Sequence, residues 1–369
     1  MVDVLLCTVG TSLIGHFMRE KHEEQKHNLS PHELYHFLKS LSANDRLCGA
    51  EVNSNENIFS KHGEPRRIVF LVSETAEGKI VGEALRMYYN DRGINCNVVV
   101  VEGLQSVDER RFKRGLRRLV RLAAEEVYQA CKKGFTCAIN ATGGFKAQIS
   151  FAGLIGQVLE VPVFYQFENF KSVIEMPPMP VDFSFSLWLQ HAHWLERLLR
   201  EDTVESFQIE WENWNDRLKG LVETIECEGR ILCSPTAVLQ LLHEKHERIW
   251  RDRKSSLLPP AGKRSERPEI RVRYEHFHSP RAVAKTQNLA HRIWNRFARV
   301  TQISSFYTNP DAPCRVGFSA GSSPQEIKVF CHCGGVLAGL ILKTTAKSKE
   351  QQMAALKELE TQFGGDLKD

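Results

Sequence analysis

The chain has 369 residues, 42% of them hydrophobic and 25% charged, with a formal net charge of +4. These are the proportions of an ordinary soluble globular protein, long enough for two or three domains with a core each. No apolar run approaches the roughly 20 residues needed to span a bilayer, so no transmembrane helix is expected. The start Met1-Val-Asp-Val-Leu-Leu6 reads as a strand running into a loop rather than as a signal peptide. Scattered cysteines inside apolar stretches, such as Cys7 and Cys137, fit a reducing cytoplasm.

Residues 2–180 alternate apolar strands and helical stretches. Strands are predicted near 2–7, 67–72, 97–101, 135–140 and 161–167, and this alternation argues an α/β fold with a parallel, doubly wound sheet. The polar segment Glu20 to Pro65, broken by Pro31, reads as a helix and loops extending the first crossover. Its histidines (His22, His27, His32, His36) read as solvated. Val107 to Lys133 reads as a helix with Arg110, Arg111, Lys113, Arg114, Arg117, Arg118 and Arg121 set among Leu116, Leu119, Val120 and Leu122. A basic helix can bind nucleic acid, but one buried face opposite one solvated face is the plainer reading.

Three of the strand ends carry hydroxyls or glycines. Thr8-Val-Gly-Thr-Ser12 follows the first strand, Ser73-Glu74-Thr75 the second, and Ala138-Ile-Asn-Ala-Thr-Gly-Gly-Phe-Lys146 leaves the fourth and enters a helix. Glycine lets a backbone come close to a ligand, and free N–H groups at a helix start attract phosphate. Thr and Ser hydroxyls add donors, and Lys146 adds a positive charge. Neither glycine loop has Gly-x-Gly-x-x-Gly spacing or a Walker lysine followed by Ser or Thr. Each alone is compatible with an ordinary strand-to-helix turn, but together they should meet at the carboxyl edge of the sheet, where open α/β folds bind ligands. The candidate ligand-binding residues are Thr8, Gly10, Thr11, Ser12, Ser73, Glu74, Thr75, Asn140, Thr142, Gly143, Gly144, Phe145 and Lys146. Such a site suits a large polyphosphate better than a mononucleotide.

The opening Val2 to Ser12, the loop Ala141-Thr-Gly-Gly-Phe-Lys-Ala-Gln148, and the exit Val161-Pro-Val-Phe-Tyr-Gln-Phe167 with Met176-Pro-Pro-Met-Pro180 resemble the CARF (CRISPR-associated Rossmann fold) family. The resemblance covers roughly the first half of the chain, and the sensor domain it implies spans 1–187. It implies a homodimer that binds a cyclic oligoadenylate, the second messenger of type III CRISPR complexes, and the short loops resemble those of tetra-adenylate binders. A ring with twofold symmetry sits naturally on a C2 interface.

From Trp188 to Trp250 the periodicity turns helical, with helices predicted over His191–Arg200, Trp211–Cys227 and Ser234–Trp250. Ser234-Pro235 opens the last with an N-cap and a proline at the first helical position. With the interposed Glu228-Gly-Arg-Ile-Leu-Cys233 stretch these fit a winged-helix-like module, but acidic Trp211–Glu228 argues against DNA reading. Residues 188–254 are therefore expected to be a mainly helical, dimerising spacer. Residues 255–268, with Pro259-Pro-Ala-Gly262 and Ser265-Glu-Arg-Pro268, read as a linker.

Charge divides the chain: residues 1–262 carry a net −3 and residues 263–369 a net +7, which makes the C-terminal part the candidate nucleic-acid binder. A strand is predicted over Ile270–Phe277, a helical region from Ser279-Pro280 to about Phe306, and strands near Cys314–Ser319, Glu326–Cys333 and Val336–Lys343. A last helix covers Ser348–Phe363, with Ser348 and Gln351 forming a capping box. Residues 269–369 thus read as a small α+β domain. Cys331-His332-Cys333 hints at metal, but on a strand the cysteines share one face and His332 points away, so no metal is expected.

That layout, with Ile327-Lys-Val-Phe330, the run Gly334 to Lys343-Thr-Thr-Ala-Lys347-Ser-Lys349 and the terminal helix, resembles the RelE superfamily of ribosome-dependent mRNA interferases. The two halves together resemble CRISPR-associated mRNA interferases. The function so implied is a cyclic oligoadenylate-activated endoribonuclease of type III CRISPR antiviral defence. It would cut mRNA in the ribosomal A site, with the ring as allosteric activator, no further cofactor, and the ribosome and mRNA as partners. Metal-independent cleavage needs the ribose 2′-OH deprotonated, the pentavalent phosphate stabilised and the leaving 5′-oxygen protonated, which clustered lysines and arginines can do. The candidates are Lys343, Lys347, Lys349, Lys328 and Arg315. No arginine–tyrosine pair follows the last strand, so base and acid are unassigned, with His332, Tyr274 and His276 as further candidates. Two alternatives stay open: a ligand-gated transcription regulator acting through the winged helix, and a ring nuclease in which Ser12 and Lys146 hold the scissile phosphate.

Overall fold

The computed structural model describes residues 2–21, 29–104, 108–167, 170, 172–180, 184–206, 216–262, 268–308, 316–333 and 336–367. The chain divides into two compact units, Met1–Phe183 with Gln240–Lys245, and Ser184–Leu239 with His246–Asp369.

The first unit runs β1 (Val4–Thr8), α1 (Ser12–Glu20), α2 (Pro31–Ser40), α3 (Gly49–His62), β2 (Arg67–Ser73), α4 (Ala76–Asp91), β3 (Asn95–Val101), α5 (Glu109–Lys132), β4 (Cys137–Asn140), α6 (Lys146–Leu159), β5 (Val163–Tyr165) and β6 (Ile174–Met176). Val4 to Cys7 and Ile68 to Val72 are buried along their whole length. Continuous apolar runs of this kind belong to parallel strands covered on both faces. The sheet order is β3-β2-β1-β4-β5-β6, parallel except for the terminal β5–β6 pair. This is the expected doubly wound α/β sheet, with the strand order reversing between β1 and β4.

The first crossover holds more helix than expected. Pro31 does not break a helix; it occupies the first turn of α2 behind a capping box, where Glu33 N–H donates to Ser30 Oγ at 3.3 Å and the Glu33 carboxylate accepts from Ser30 N–H at 2.8 Å. His32 and His36 are exposed on that helix, while His22 and His27 lie outside the described residues. The basic helix is α5, which buries Leu116, Leu119, Val120, Ala123 and Val127. It turns Arg110, Arg111, Arg114, Arg118 and Arg121 to solvent, as an amphipathic surface helix does.

The second unit runs α7 (Phe185–Glu201), β7 (Val204–Glu205), α8 (Asp216–Lys219), β8 (Val222–Cys227), β9 (Arg230–Pro235), α9 (Ala237–Leu257), β10 (Ile270–Arg271), α10 (Pro280–Arg296), β11 (Val300–Phe306), β12 (Gly317–Ala320), β13 (Glu326–Cys333), β14 (Val336–Thr344) and α11 (Lys349–Phe363). Where a helix was predicted over Trp211–Cys227, residues 222–227 form a strand instead. Glu228 and Gly229, both at positive φ (50° and 73°), close a two-residue hairpin into β9. Positive φ at both central residues is the type I′ signature, and it overrode the helical periodicity. The helical region predicted to Phe306 likewise stops at Arg296, because Val300-Thr-Gln-Ile-Ser-Ser-Phe306 alternates and is rich in β-branched residues. The strand predicted over Ile270–Phe277 is reduced to two residues. Ser348 caps α11 as expected, accepting from Gln351 N–H at 3.2 Å, but the Gln351 side chain accepts from Lys347 N–H rather than from Ser348.

Strands β10-β11-β14-β13-β12 form one sheet, and a single core runs from Trp188, Leu195 and Trp250 through Ile293 and Leu340 to Leu359 and Phe363. Ion pairs tie α11 to α7 and α9: Arg200–Glu360 at 2.8 Å, Lys254–Glu358 at 2.7 Å, and buried Lys357 with both Glu196 and Glu247 at 2.9 Å. The Lys357 ammonium also lies over the rings of Trp250 and Trp188, at 5.2 and 5.7 Å. Removing one member of such a buried set costs more than the set contributes, because uncompensated charge remains. Lys357→Ala is expected to destabilise the second unit by about 3 kcal/mol, and adding Glu196→Gln with Glu247→Gln should restore much of that loss. Urea denaturation of the single and triple variants checks this.

Candidate ligand site and candidate catalytic face

The strand order reverses between the parallel strands β1 and β4, so the connections leaving them lead to opposite sides and leave a crevice at the carboxyl edge. The loops that line it are in direct backbone contact. Thr8 Oγ1 donates to the Gly143 carbonyl. A Cβ added to Gly10 would stand 2.9 Å from the Gly144 nitrogen, and one added to Gly143 would overlap both the Thr8 carbonyl and a Glu51 carboxylate oxygen. Gly144 is at φ +105°, open to glycine and few other residues. Glycine is required here for loop-on-loop packing.

The predicted ligand residues separate into two groups. Thr8, Ser73 and Asn140 are buried. Asn140 Nδ2 donates to Ser54 Oγ (2.7 Å) and Asn55 Oδ1 (2.8 Å), and its Oδ1 accepts from the Thr142 N–H (3.1 Å) and hydroxyl (2.7 Å). Thr142 Oγ1 in turn accepts from Gln166 N–H at 3.0 Å. Ser73 and Thr75 hydroxyls bond each other at 2.9 Å, Thr75 caps α4 by accepting from Gly78 N–H, and Glu74 pairs with Arg111 at 2.8 Å. These side chains hold the loops in shape. The second group faces solvent: Thr11, which N-caps α1 without a side-chain cap bond; Ser12, its first helical residue; and Phe145 and Lys146, where α6 begins. Two helix starts, with N–H groups lacking intrahelical partners, thus flank one crevice beside an exposed lysine, an arrangement suited to anions.

Sequence reading missed three contributors. Glu51, 2% exposed, reaches from α3 to accept the Gly10 N–H at 2.7 Å, and burial pushes its carboxyl above the usual range. Asn55 joins the network by donating to Tyr89 at 3.2 Å. Gln148 accepts the Phe145 N–H at 2.7 Å, while its buried Nε2 has no partner among the described residues. A signal existed on α3, since Glu51, Ser54 and Asn55 occupy the stripe that Val52, Ile58 and Phe59 mark as the buried face.

In the second unit, register decides which predicted catalytic residues share a face. Lys343 on β14 pairs with Glu326 on β13 and Gln302 on β11, and Lys328 pairs with Ile341 and with Ser319 on β12. Directly paired residues project to the same side, so Lys328 and Lys343 share one face with His332. The opposite residues Ile327, Val329, Cys331 and Cys333 are buried, with the two sulfurs 3.5 Å apart. Phe306 and Phe330 cross edge to face at 5.4 Å on the lysine-bearing side, over Gly339, where a Cβ would strike the Phe306 ring. Lys347 and Lys349 are exposed beyond the end of β14. Tyr274 is exposed, and His276 Nδ1 lies 2.8 Å from Ser305 Oγ. Arg315 lies outside the described residues.

Residues 46–179 match the model of a CRISPR-associated protein family (Cas_APE2256). Among solved structures, the chain is similar to Can2 from Sulfobacillus thermosulfidooxidans, solved in complex with cyclic tetra-adenylate, at 12% identity and a TM-score of 0.26. That alignment covers 69% of this chain and 64% of Can2, so the chain spans less than two thirds of that protein. It is also similar to VC1899 from Vibrio cholerae at 9% identity and a TM-score of 0.28, covering 93% of this chain and 77% of that one. At such TM-scores neither superposition bears on fold or site.

The loop contact predicts a contrast between two glycines. Gly143→Ala forces Glu51 and the Thr8 strand end apart and is expected to cost about 1–3 kcal/mol, the scale of overpacking. Gly153→Ala in α6 meets no atom within 4 Å, and should be neutral or stabilising by about 0.5–1 kcal/mol. Equal melting temperatures for the two variants would exclude the contact.

Proposed function

We propose that this protein is a cyclic oligoadenylate-gated endoribonuclease of type III CRISPR defence, with cyclic tetra-adenylate as the activator. The observation that carries the reading is the crevice at the β1/β4 reversal, where two helix starts with Thr11, Ser12 and Lys146 flank glycine loops packed on each other. The match of residues 46–179 to a CRISPR-associated family supports it. A ring of several phosphates needs more cationic and N–H contacts than one crevice supplies, and a second copy related by a twofold axis doubles them. Exposed Phe145, Phe167, Phe170 and Ile174, on the loops and the edge strand at the carboxyl end of the sheet, support such a homodimer.

In the same proposal residues 1–187 are the sensor, 188–254 the spacer and 269–369 a RelE-like effector that cuts mRNA on the ribosome. Lys343 and Lys328 on one open face, with Lys347 and Lys349 past its end, would hold the scissile phosphate and transfer protons in 2′-OH attack. Among the alternatives, a transcription regulator finds its support in the β8–β9 hairpin, shaped like a wing. Glu223, Glu226 and Glu228 on that hairpin oppose a DNA backbone.

Two expectations follow for the ring. Lys146→Ala should weaken cyclic tetra-adenylate binding at least about tenfold, the worth of a charge-assisted phosphate contact. Calorimetry should give one ring per two chains; one ring per chain would refute the shared site. For the effector, Lys343→Ala or Lys347→Ala should abolish ring-stimulated mRNA cleavage on translating ribosomes and leave ring affinity unchanged. Mapping of mRNA ends with and without ribosomes reads this directly.

A further inference from the structure

Glu51 is an anomaly among the buried groups of the first unit. It is a carboxyl with 2% exposure, placed behind the two loops that lead into the helix starts at Ser12 and Lys146, and no cation pairs with it among the described residues. Its visible partner is the Gly10 N–H, a donor on the very loop that would meet phosphate. Its other boundary is Gly143, which has no side chain because Glu51 fills that space. The titratable groups on the elements around it are committed elsewhere. Cys7 on β1 donates to Asn55, His16 on α1 is held at the Leu47 carbonyl, and Arg19 bonds the Gly15 carbonyl. Asp45 caps the turn at Leu47, Arg46 stands beside it, and Glu56 on α3 pairs with Arg92. Lys146, across the crevice, is exposed.

We infer that Glu51 is a proton-dependent positioning residue of the anion site: its carboxyl, lodged between Gly10 and Gly143, is protonated when a polyanion occupies the crevice, so binding is coupled to proton uptake. This rests on reading the loops as the messenger site. The physical argument is one of like charge. An ionised Glu51 would oppose the incoming phosphates at short range with little water between, whereas a neutral carboxyl still accepts from Gly10 and still fills the space under Gly143. Burial already favours the neutral form in the empty protein, and a polyanion favours it further. The sign is therefore fixed. Affinity is highest at low pH and declines as pH rises through the raised pKa of Glu51.

The test is calorimetry of cyclic tetra-adenylate binding to the full chain across pH, in buffers of different ionisation enthalpy. Wild-type affinity should fall several-fold per pH unit over part of the range, toward the roughly tenfold ceiling for one proton taken up. Glu51→Gln keeps an acceptor without the charge and should bind with a flat profile. Glu51→Ala should bind more weakly at every pH, because Gly10 loses its acceptor. His16→Gln is the control and should keep the wild-type slope. A Glu51→Gln profile that retains that slope, or binding without proton uptake, overturns the inference.

A second measurement uses no ligand. A carboxyl whose pKa is raised in the folded state contributes stability that declines as pH rises through that pKa, so the wild-type melting temperature should fall with pH relative to Glu51→Gln. Parallel melting curves with ring binding intact would refute the role of Glu51 and spare the messenger reading. Diverging curves with no ring bound would do the reverse.

Discussion

The first unit depends on one constraint, that two backbones must touch at the carboxyl edge of the sheet. Strands β1 and β4 are neighbours in parallel register, with Cys7 opposite Asn140, so the segments leaving them start about one strand spacing apart. Any side chain at Gly10 or Gly143 would force them apart. With glycine at both, the loops close on each other, and Thr8 and Glu51 can bond across the seam. The starts of α1 and α6 then flank one crevice. Glycine here therefore serves the packing of the loops, and the flanking of one crevice by two helix starts is a by-product of that close contact.

The architecture of this unit was legible because its signals are strong and redundant. Continuous apolar runs at Val4–Cys7 and Ile68–Val72, separated by helical stretches, can hardly be anything but parallel strands covered on both faces. The loops were legible for the same reason, since glycines and hydroxyls recur at successive strand ends. What could not be read was which side chains those loops spend on themselves. Asn140 and Ser12 look equally suitable as ligand residues in a string of letters, yet one is consumed by Ser54, Asn55 and Thr142 while the other stands at an open helix start. Glu51 was hidden for a further reason, because its partner Gly10 lies 41 residues away. In the second unit the hairpin at Glu228-Gly229 was missed because helical periodicity over a short window competes poorly with a two-residue turn.

The second unit is held by a different balance. Its C-terminal helix carries Lys357, Glu358 and Glu360 into the interior, each matched by an opposite charge on α7 or α9. The open-faced sheet is thus anchored to the helices at 185–257 by paired charge as well as by apolar packing, and one core serves both. Isolated charges in such positions would be untenable. The arrangement makes the position of α11, and hence of the lysines that precede it, sensitive to where α7 and α9 stand. On the proposed reading this is where control over cleavage would act, without any change in the sheet that bears Lys343 and Lys328.

A ligand shifts a protein between states only by the difference in its affinity for them. In the crevice most polar side chains are already bonded to one another, so a ring would spend little of its binding energy on ordering them. What it can act on is the unshared part: the exposed donors of Thr11, Ser12 and Lys146, and the charge on Glu51. The first three sit at the starts of two helices that run away from the seam, so on the proposed reading drawing them toward a common set of phosphates would move whole helices and not merely side chains. Glu51 lies against both loops, accepting from Gly10 and filling the space beside Gly143. On the proposed reading, loops already packed this closely on each other favour a lever over a closing lid.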